Sequence, residues 1–401
     1  MAGGAREALR GRTGVFVSIC ALSFLVNFGR ISFAPLVDVF IRSGVSPATA
    51  GLAATAVWVG SALTRLPTGY LLTFVERHRV LVGMGVFLTA AAAFTALSPD
   101  IWFTIGGAFL VGLATGVFFI AANPLVSELY PERVGVAVSL RGMSSQIAAV
   151  TAPFLVALAI VLGSWRYGFW GLAVFAAFVT VVFALATRRA ELPTAGADDR
   201  DLFGAIRAQR RLVLTGILFV GVAGFVWQGV FNFYVTYLGT QGISAGVAST
   251  LLTVTFAAGV PSFLVAGRLT EYVSYLPLLC AILTGFVVCL FALTLVDGLL
   301  AIALVSIALG FVVHGLFPVA DAYLLETLPD ENRSSAYSGF SATMMLMQAP
   351  GSVAVGALAQ AGLTYTTVFR AYAVVVALVT LGLALAASRG RLPTGGRASR
   401  R

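Results

Sequence analysis

Apolar residues run in long, nearly unbroken stretches along this chain, and polar residues gather in the short gaps between them. Twelve stretches recur, near residues 14–41, 47–73, 79–98, 101–126, 138–162, 166–187, 212–238, 244–270, 275–296, 299–325, 335–361 and 366–387. They are numbered here as segments 1 to 12. Each is close to or above the about 20 residues that a helix needs to cross the hydrocarbon of a bilayer. A barrel strand is about ten residues of alternating character, and these runs are too long and too continuously apolar for that. Backbone groups in lipid must find partners inside their own segment, so helices are the default. The pattern predicts an all-α membrane protein with twelve transmembrane helices.

The polar gaps carry a second pattern. Shifted by 198 residues, Gly44 and Ser46 meet Gly242 and Ser244, Gly69 and Leu71 meet Gly267 and Leu269, and Glu128 and Pro131 meet Glu326 and Pro329. The block from Gly116 to Pro124 matches Gly310 to Pro318 at an offset of 194. The slip between the two offsets is about one helical turn. A shared offset over several blocks marks a duplication, and in a chain this apolar it points to a transporter built from two related bundles. The expected organisation is a six-helix bundle over residues 1–187, a cytoplasmic linker over 188–211 and a second six-helix bundle over 212–401.

Composition and charge sharpen this. Only 10% of residues are charged and 59% are hydrophobic, whereas a soluble domain carries about 25% charged residues. All 25 basic residues are Arg. Twenty lie in the tails, the linker and the loops on the side of the termini, three (Arg42, Arg166, Arg370) on the other side, and two (Arg30, Arg65) inside spans. By the positive-inside rule both termini are expected in the cytoplasm, with the protein multi-pass in the plasma membrane. The net charge of +9 then reads as topology and contact with anionic lipid. Nucleic acid is not an expected partner, because no compact basic domain with interleaved aromatics exists. The linker holds Pro193, Gly196, acids at Asp198, Asp199 and Asp201, then Arg207, Arg210 and Arg211, and residues 202–211 are expected to form a short surface helix. Cys20, Cys280 and Cys289 all lie in spans and read as small packing residues.

Polar side chains within the spans are the candidate chemistry, because an ionisable group there costs about 2.5–3.5 kcal/mol on insertion scales. Segment 1 carries Asn27, Arg30 and Asp38, with Asn27 and Arg30 on one face. Arg30 is a candidate anion ligand, since guanidinium offers paired donors to oxyanions. The competing reading pairs it with Asp38. Its twin in the repeat is Gln228, one turn from Asn232 in segment 7, with Trp227 and Phe231 beside them as substrate contacts or as packing. Segment 10 carries His314, Phe317 and Asp321 on one stripe. A His with a carboxylate nearby is a candidate proton carrier, the rival being a neutral His held by a neighbouring helix. Pro35, Pro67, Pro124, Pro153, Pro261, Pro318 and Pro350 each remove a backbone hydrogen bond. Pro124 and Pro318 match across the repeat and are expected as paired bends.

Twelve spans in two halves around a central linker resemble the major facilitator superfamily over nearly the whole chain. The family's loop motif between segments 2 and 3 places a Gly, an acid and basic residues in order. Here the stretch runs Gly69, Thr73, Glu76, Arg77, His78, Arg79, with Thr73 in the acid's place. In the second half Gly267 and Glu271 keep the Gly and the acid without the basic tail. The resemblance implies that Gly69, Glu76, Arg77, Arg79, Gly267 and Glu271 act in a cytoplasmic gate, as do Glu128 and Glu326 after segments 4 and 10. Arg141 near the start of segment 5 is expected to pair with such acids. It also implies a central cavity lined chiefly by segments 1, 4, 7 and 10. Segment 4 has no Arg and segment 5 reads Thr151-Ala152-Pro153, which departs from the drug-antiporter subgroup. The stretch Thr64-Arg65-Leu66-Pro67-Thr68-Gly69 is similar to the second helix of nitrate/nitrite porters, where the Arg contacts the anion. The matching position in segment 8 is Phe263, so a gating role for Arg65 stands beside that reading.

The expected function is secondary active transport of a small, anionic or polar solute by alternating access, coupled to H+ or Na+. The chain is not expected to be an enzyme and needs no cofactor or metal; without lysine it cannot build the phosphate-binding loop of an ATP-driven pump. Its expected partners are the solute and membrane lipids, with a monomer as the working unit. The alternatives are a multidrug or metabolite efflux antiporter and, from another class, a non-transporting membrane sensor or membrane-embedded enzyme.

Overall fold

The computed structural model describes residues 2–72, 74–130, 134–190, 192, 204, 207–328 and 333–393. The linker acids Asp198, Asp199 and Asp201, residues 202, 203, 205 and 206 of the helix expected over 202–211, Thr73 and the loop residues 131–133 and 329–332 lie outside them. The described residues are helical almost throughout. Segment 1 forms α1 (Ala2–Ile31) and α2 (Phe33–Arg42), and segment 2 forms α3 (Pro47–Leu63) and α4 (Arg65–Leu71). Then follow α5 (Arg77–Ala96), α6 (Ile101–Leu129), α7 (Val134–Val161) and α8 (Arg166–Thr187). Segment 7 forms α9 (Arg210–Gly216), a π-helical turn (Ile217–Gly221) and α10 (Val222–Thr240). Beyond it lie α11 (Ala245–Tyr272), α12 (Tyr275–Leu293), α13 (Leu299–Thr327), α14 (Arg333–Gln348), α15 (Gly351–Gln360) and α16 (Tyr365–Ser388).

Among the described residues, eleven of the twelve segments make helices long and apolar enough to cross a membrane. Segment 2 is the other; it forms helices of 17 and 7 residues on either side of Thr64. The divisions have a local cause. Segments 1, 2 and 11 break at Ser32, Thr64 and Ala349–Pro350. Pro35, Pro67 and Pro350 cannot donate to the carbonyls of Ile31, Leu63 and Leu346, one turn earlier. Hydroxyls take up part of the slack. Ser32 donates to the Phe28 carbonyl at 2.7 Å, and Thr64 to those of Gly60 at 3.2 Å and Leu113 at 3.1 Å. Pro124 and Pro318, expected as paired bends, both sit inside continuous helices, α6 and α13.

The chain divides into two compact units. One comprises Met1–Leu36 and Ala56–Asp199, the other Val37–Thr55 and Arg200–Arg401. The first change of unit thus falls inside segments 1 and 2, so the hairpin over residues 37–55 packs with the second half of the chain. Within that second unit, a Cβ on Gly51 would strike the backbone of Ser352, and one on Gly356 the backbone of Pro47. The Val353 amide donates to the Thr55 hydroxyl at 3.2 Å.

The repeat is visible as geometry. Gly44 and Gly242 both turn the chain with positive φ, +91° and +80°, which only Gly adopts without cost. A Cβ on Gly116 would overlap the Ser61 carbonyl of α3, and one on Gly310 the Thr255 carbonyl of α11. Both members of these two pairs are offset by 194 residues, so the same close helix crossing is built twice. Gly112 against Val57 and Gly60 against Phe109 extend the first crossing. Lipid supplies no hydrophobic drive between helices, and small residues let backbones approach instead. Outward faces carry large apolar side chains such as Trp102, Phe175, Phe178, Leu264 and Leu300, all more than 60% exposed. On a water-soluble monomer such patches mark interfaces; here they face lipid.

Candidate functional site

In the first unit a polar cluster is assembled from five helices. Ser23, Asn27 and Arg30 lie on one face of α1, Trp58 on α3, Arg65 on α4, Phe119 on α6, and Arg141 and Ser145 on α7. Asn27 donates its amide to the Ser145 carbonyl and accepts from the Arg30 guanidinium with its side-chain oxygen. Ser23 and Ser145 share a hydroxyl–hydroxyl bond of 2.7 Å, and Arg141 Nη1 donates to Ser23 at 3.3 Å. Asn27 is 2% exposed and Arg141 8%. The Arg30 guanidinium carbon sits 4.3 Å from the centre of the Trp58 ring and 5.5 Å from that of Phe119. The Arg141 guanidinium lies 5.4 Å from the same Phe119 ring. Arg65 is close enough to repel Arg30 electrostatically.

This is a concentration of positive charge. Among the described residues neither Arg30 nor Arg141 makes an ion pair with a carboxylate. Each keeps a buried Nε with no hydrogen-bond partner. The Asp38 alternative for Arg30 is not realised. Asp38 accepts from Arg42 Nε at 2.7 Å, a partner one turn away on the same helix, whereas Arg30 lies across the break at Ser32. Ring faces take up part of the charge, at about 0.5–2 kcal/mol per contact.

Arg141 was expected beside the loop acids and lies instead in this cluster. Of the loop acids, Glu128 pairs with Arg77. Glu76 pairs with Arg79 at 2.8 Å and approaches His78 at 3.4 Å. Gly69 and Gly267 have open space where a Cβ would go, so close packing does not explain them. Glu271 and Glu326 are exposed.

In the second unit the candidates form two groups. Asn232 donates to the Gln228 carbonyl and to the Ser352 hydroxyl, each at 2.8 Å, and Ser352 donates to the Gln228 carbonyl at 3.0 Å. Gln228 and Asn232 are each 2% exposed, and this network laces α10 to α15. Trp227, Phe231, Phe256 and His314 form an aromatic box. His314 lies 5.6 Å from Trp227 and 5.7 Å from Phe256, and its Nδ1 meets the Gly310 carbonyl at 2.7 Å. Asp321 accepts from the Tyr337 hydroxyl at 2.8 Å. It lies two turns from His314, about 10 Å along the helix axis, so the structure does not join the two.

Sequence reading missed Trp58, Phe119, Ser23 and Ser145 as members of a site. The aromatics are indistinguishable from lipid-facing ones in an apolar run. The polar group Ser144-Ser145-Gln146, one turn past Arg141 in an otherwise apolar segment, was the available signal.

The profile of the Major Facilitator Superfamily matches residues 19–299 and 222–400. Among solved structures, a bacterial homologue of the human lysosomal transporter Spinster is similar with a TM-score of 0.75 and 14% identity, over 93% of this chain and 97% of that one. A POT family transporter in complex with a thioalcohol-conjugated peptide gives 0.78 and 13%, over 95% and 96%. A D-xylose–proton symporter gives 0.74 and 13%, over 92% and 97%. No curated protein matches the sequence. With a family match running over most of its length, on twelve segments in duplicated halves, this chain belongs to the major facilitator superfamily of secondary transporters.

Proposed function

We propose that this transporter carries a small anionic solute across the plasma membrane, with Arg30 and Arg141 as its principal ligands and Asn27, Trp58 and Phe119 placing them. One observation carries the reading: the Arg30 and Arg141 guanidiniums share one aromatic ring and, among the described residues, meet no carboxylate. A buried cation without a counter-charge costs several kcal/mol, and an anion arriving there removes that cost. A cationic solute would add to it. Both termini are placed in the cytoplasm on the strength of the twenty-to-three Arg asymmetry. Membrane-impermeant labelling of cysteines introduced at Arg207 and Gly298 checks this. Opposite sides are expected, and labelling of both from outside rejects the orientation.

Proton coupling through His314 and Asp321 is the second element of the proposal. His314 is 6% exposed within the aromatic box and is the titratable side chain at its centre. Coupling to protons is also in the name of one structural neighbour, the D-xylose–proton symporter. The test is flux into liposomes holding the purified protein. An imposed pH gradient is expected to drive anion uptake in the wild type and to lose its effect in His314→Gln, with anion exchange retained. An unchanged pH response would return His314 to a packing role, and uptake of amines in preference to anions would reject the anion reading.

A further inference from the structure

We infer that the solute is a dianion, a dicarboxylate or a phosphate monoester, gripped by the guanidiniums of Arg30 and Arg141, which both approach the Phe119 ring. The inference rests on the anion reading above and narrows it to a class. Charge balance narrows the class. Arg30 and Arg141 come from different helices, α1 and α7, and both lie within 5.5 Å of the centre of one ring. Each holds a buried Nε that no residue satisfies. Neither has a described carboxylate partner. A monoanion neutralises one guanidinium and leaves the other buried and uncompensated. Two negative groups on one small molecule, or one doubly charged head, neutralise both and satisfy both forks with charge-assisted hydrogen bonds.

The remaining polar groups of the cluster are already committed in a way that fits this. Asn27 and Ser23 are bonded to Ser145, and through their second partners they orient Arg30 and Arg141. They act as positioning residues, leaving the guanidinium edges as the donors on offer. Trp58 and Phe119 cover guanidinium faces, which directs recognition to those edges.

Close analogues that differ by one charge test the inference on the full-length purified protein. Succinate is compared with succinamate, and glycerol phosphate with its methyl ester, by ligand-induced thermal stabilisation. In the wild type the dianion of at least one pair is expected to bind at least about tenfold more tightly than its partner, a difference of about 1.4 kcal/mol. The pair that responds tells carboxylate from phosphate. Arg30→Gln and Arg141→Gln are each expected to bring that ratio close to one. Equal binding of dianion and monoanion by the wild type overturns the inference and leaves the anion reading standing. No stabilisation by any of the four compounds overturns both. The wild-type comparison does not depend on either variant folding.

Discussion

Arg30→Gln is expected to abolish measurable anion uptake while the protein still inserts and purifies as a single species. The twin position in the second half is Gln228, which is buried and accepts from Asn232 with its side-chain oxygen at 3.3 Å, so Gln at this depth is compatible with the fold. What the substitution removes is a charged donor set. Hydrogen bonds to charged groups contribute about 1.5–3 kcal/mol, equivalent to about 10- to 100-fold in affinity. Arg30→Lys separates charge from shape. The ammonium keeps the positive charge but cannot offer a planar fork or lie over Trp58 as guanidinium does, so about tenfold weaker binding is expected. Wild-type affinity in both variants would show that Arg30 does not touch the solute. Asp38→Asn is the matching control. Asp38 is occupied by Arg42, so its loss is expected to leave affinity unchanged.

The second large effect is on stability. Gly116→Ala and Gly310→Ala are each expected to lower the thermal midpoint of the purified protein by several degrees. In both, the new methyl would overlap a backbone carbonyl of the neighbouring helix, at Ser61 and Thr255. A backbone carbonyl cannot swing aside as a side chain can, so the two helices must separate. Overpacking costs about 1–3 kcal/mol, and the upper end applies here. Gly83→Ala, where nothing lies within 4 Å of the added methyl, is the control and is expected to leave stability unchanged or slightly higher. Equal midpoints in all three variants would mean that the crossings are looser than the structure shows. Because the two sites are repeat equivalents, similar losses at both would also show that the duplication preserved a packing solution.

How far the sequence carried can be judged residue by residue. Segment positions were legible because burial in lipid is recorded locally, as long apolar runs. The halves were legible because loop turns and helix crossings demand particular residues. Gly44 and Gly242 are there for positive φ, and Gly116 and Gly310 for close approach, so the repeat survives where the backbone is most constrained. Asn27 and Arg30 were legible as polar residues that a span does not tolerate without reason. Their partners were not. Asp38 stood two turns away in sequence and lost Arg30 to the break at Ser32, while Ser145 stood 118 residues away and gained Asn27.

The sequence by itself determined the solvent, the number and order of the apolar segments and their grouping into two related halves, because each rests on composition or local spacing. The tertiary structure alone decided which prolines interrupt a helix, that Glu128 meets Arg77 and not Arg141, and that Trp58 and Phe119 close over Arg30 and Arg141. Those outcomes depend on side chains from separate segments reaching one place. Local hydrophobic pattern states that a residue is buried, and it carries no information about which residue of another helix it is buried against.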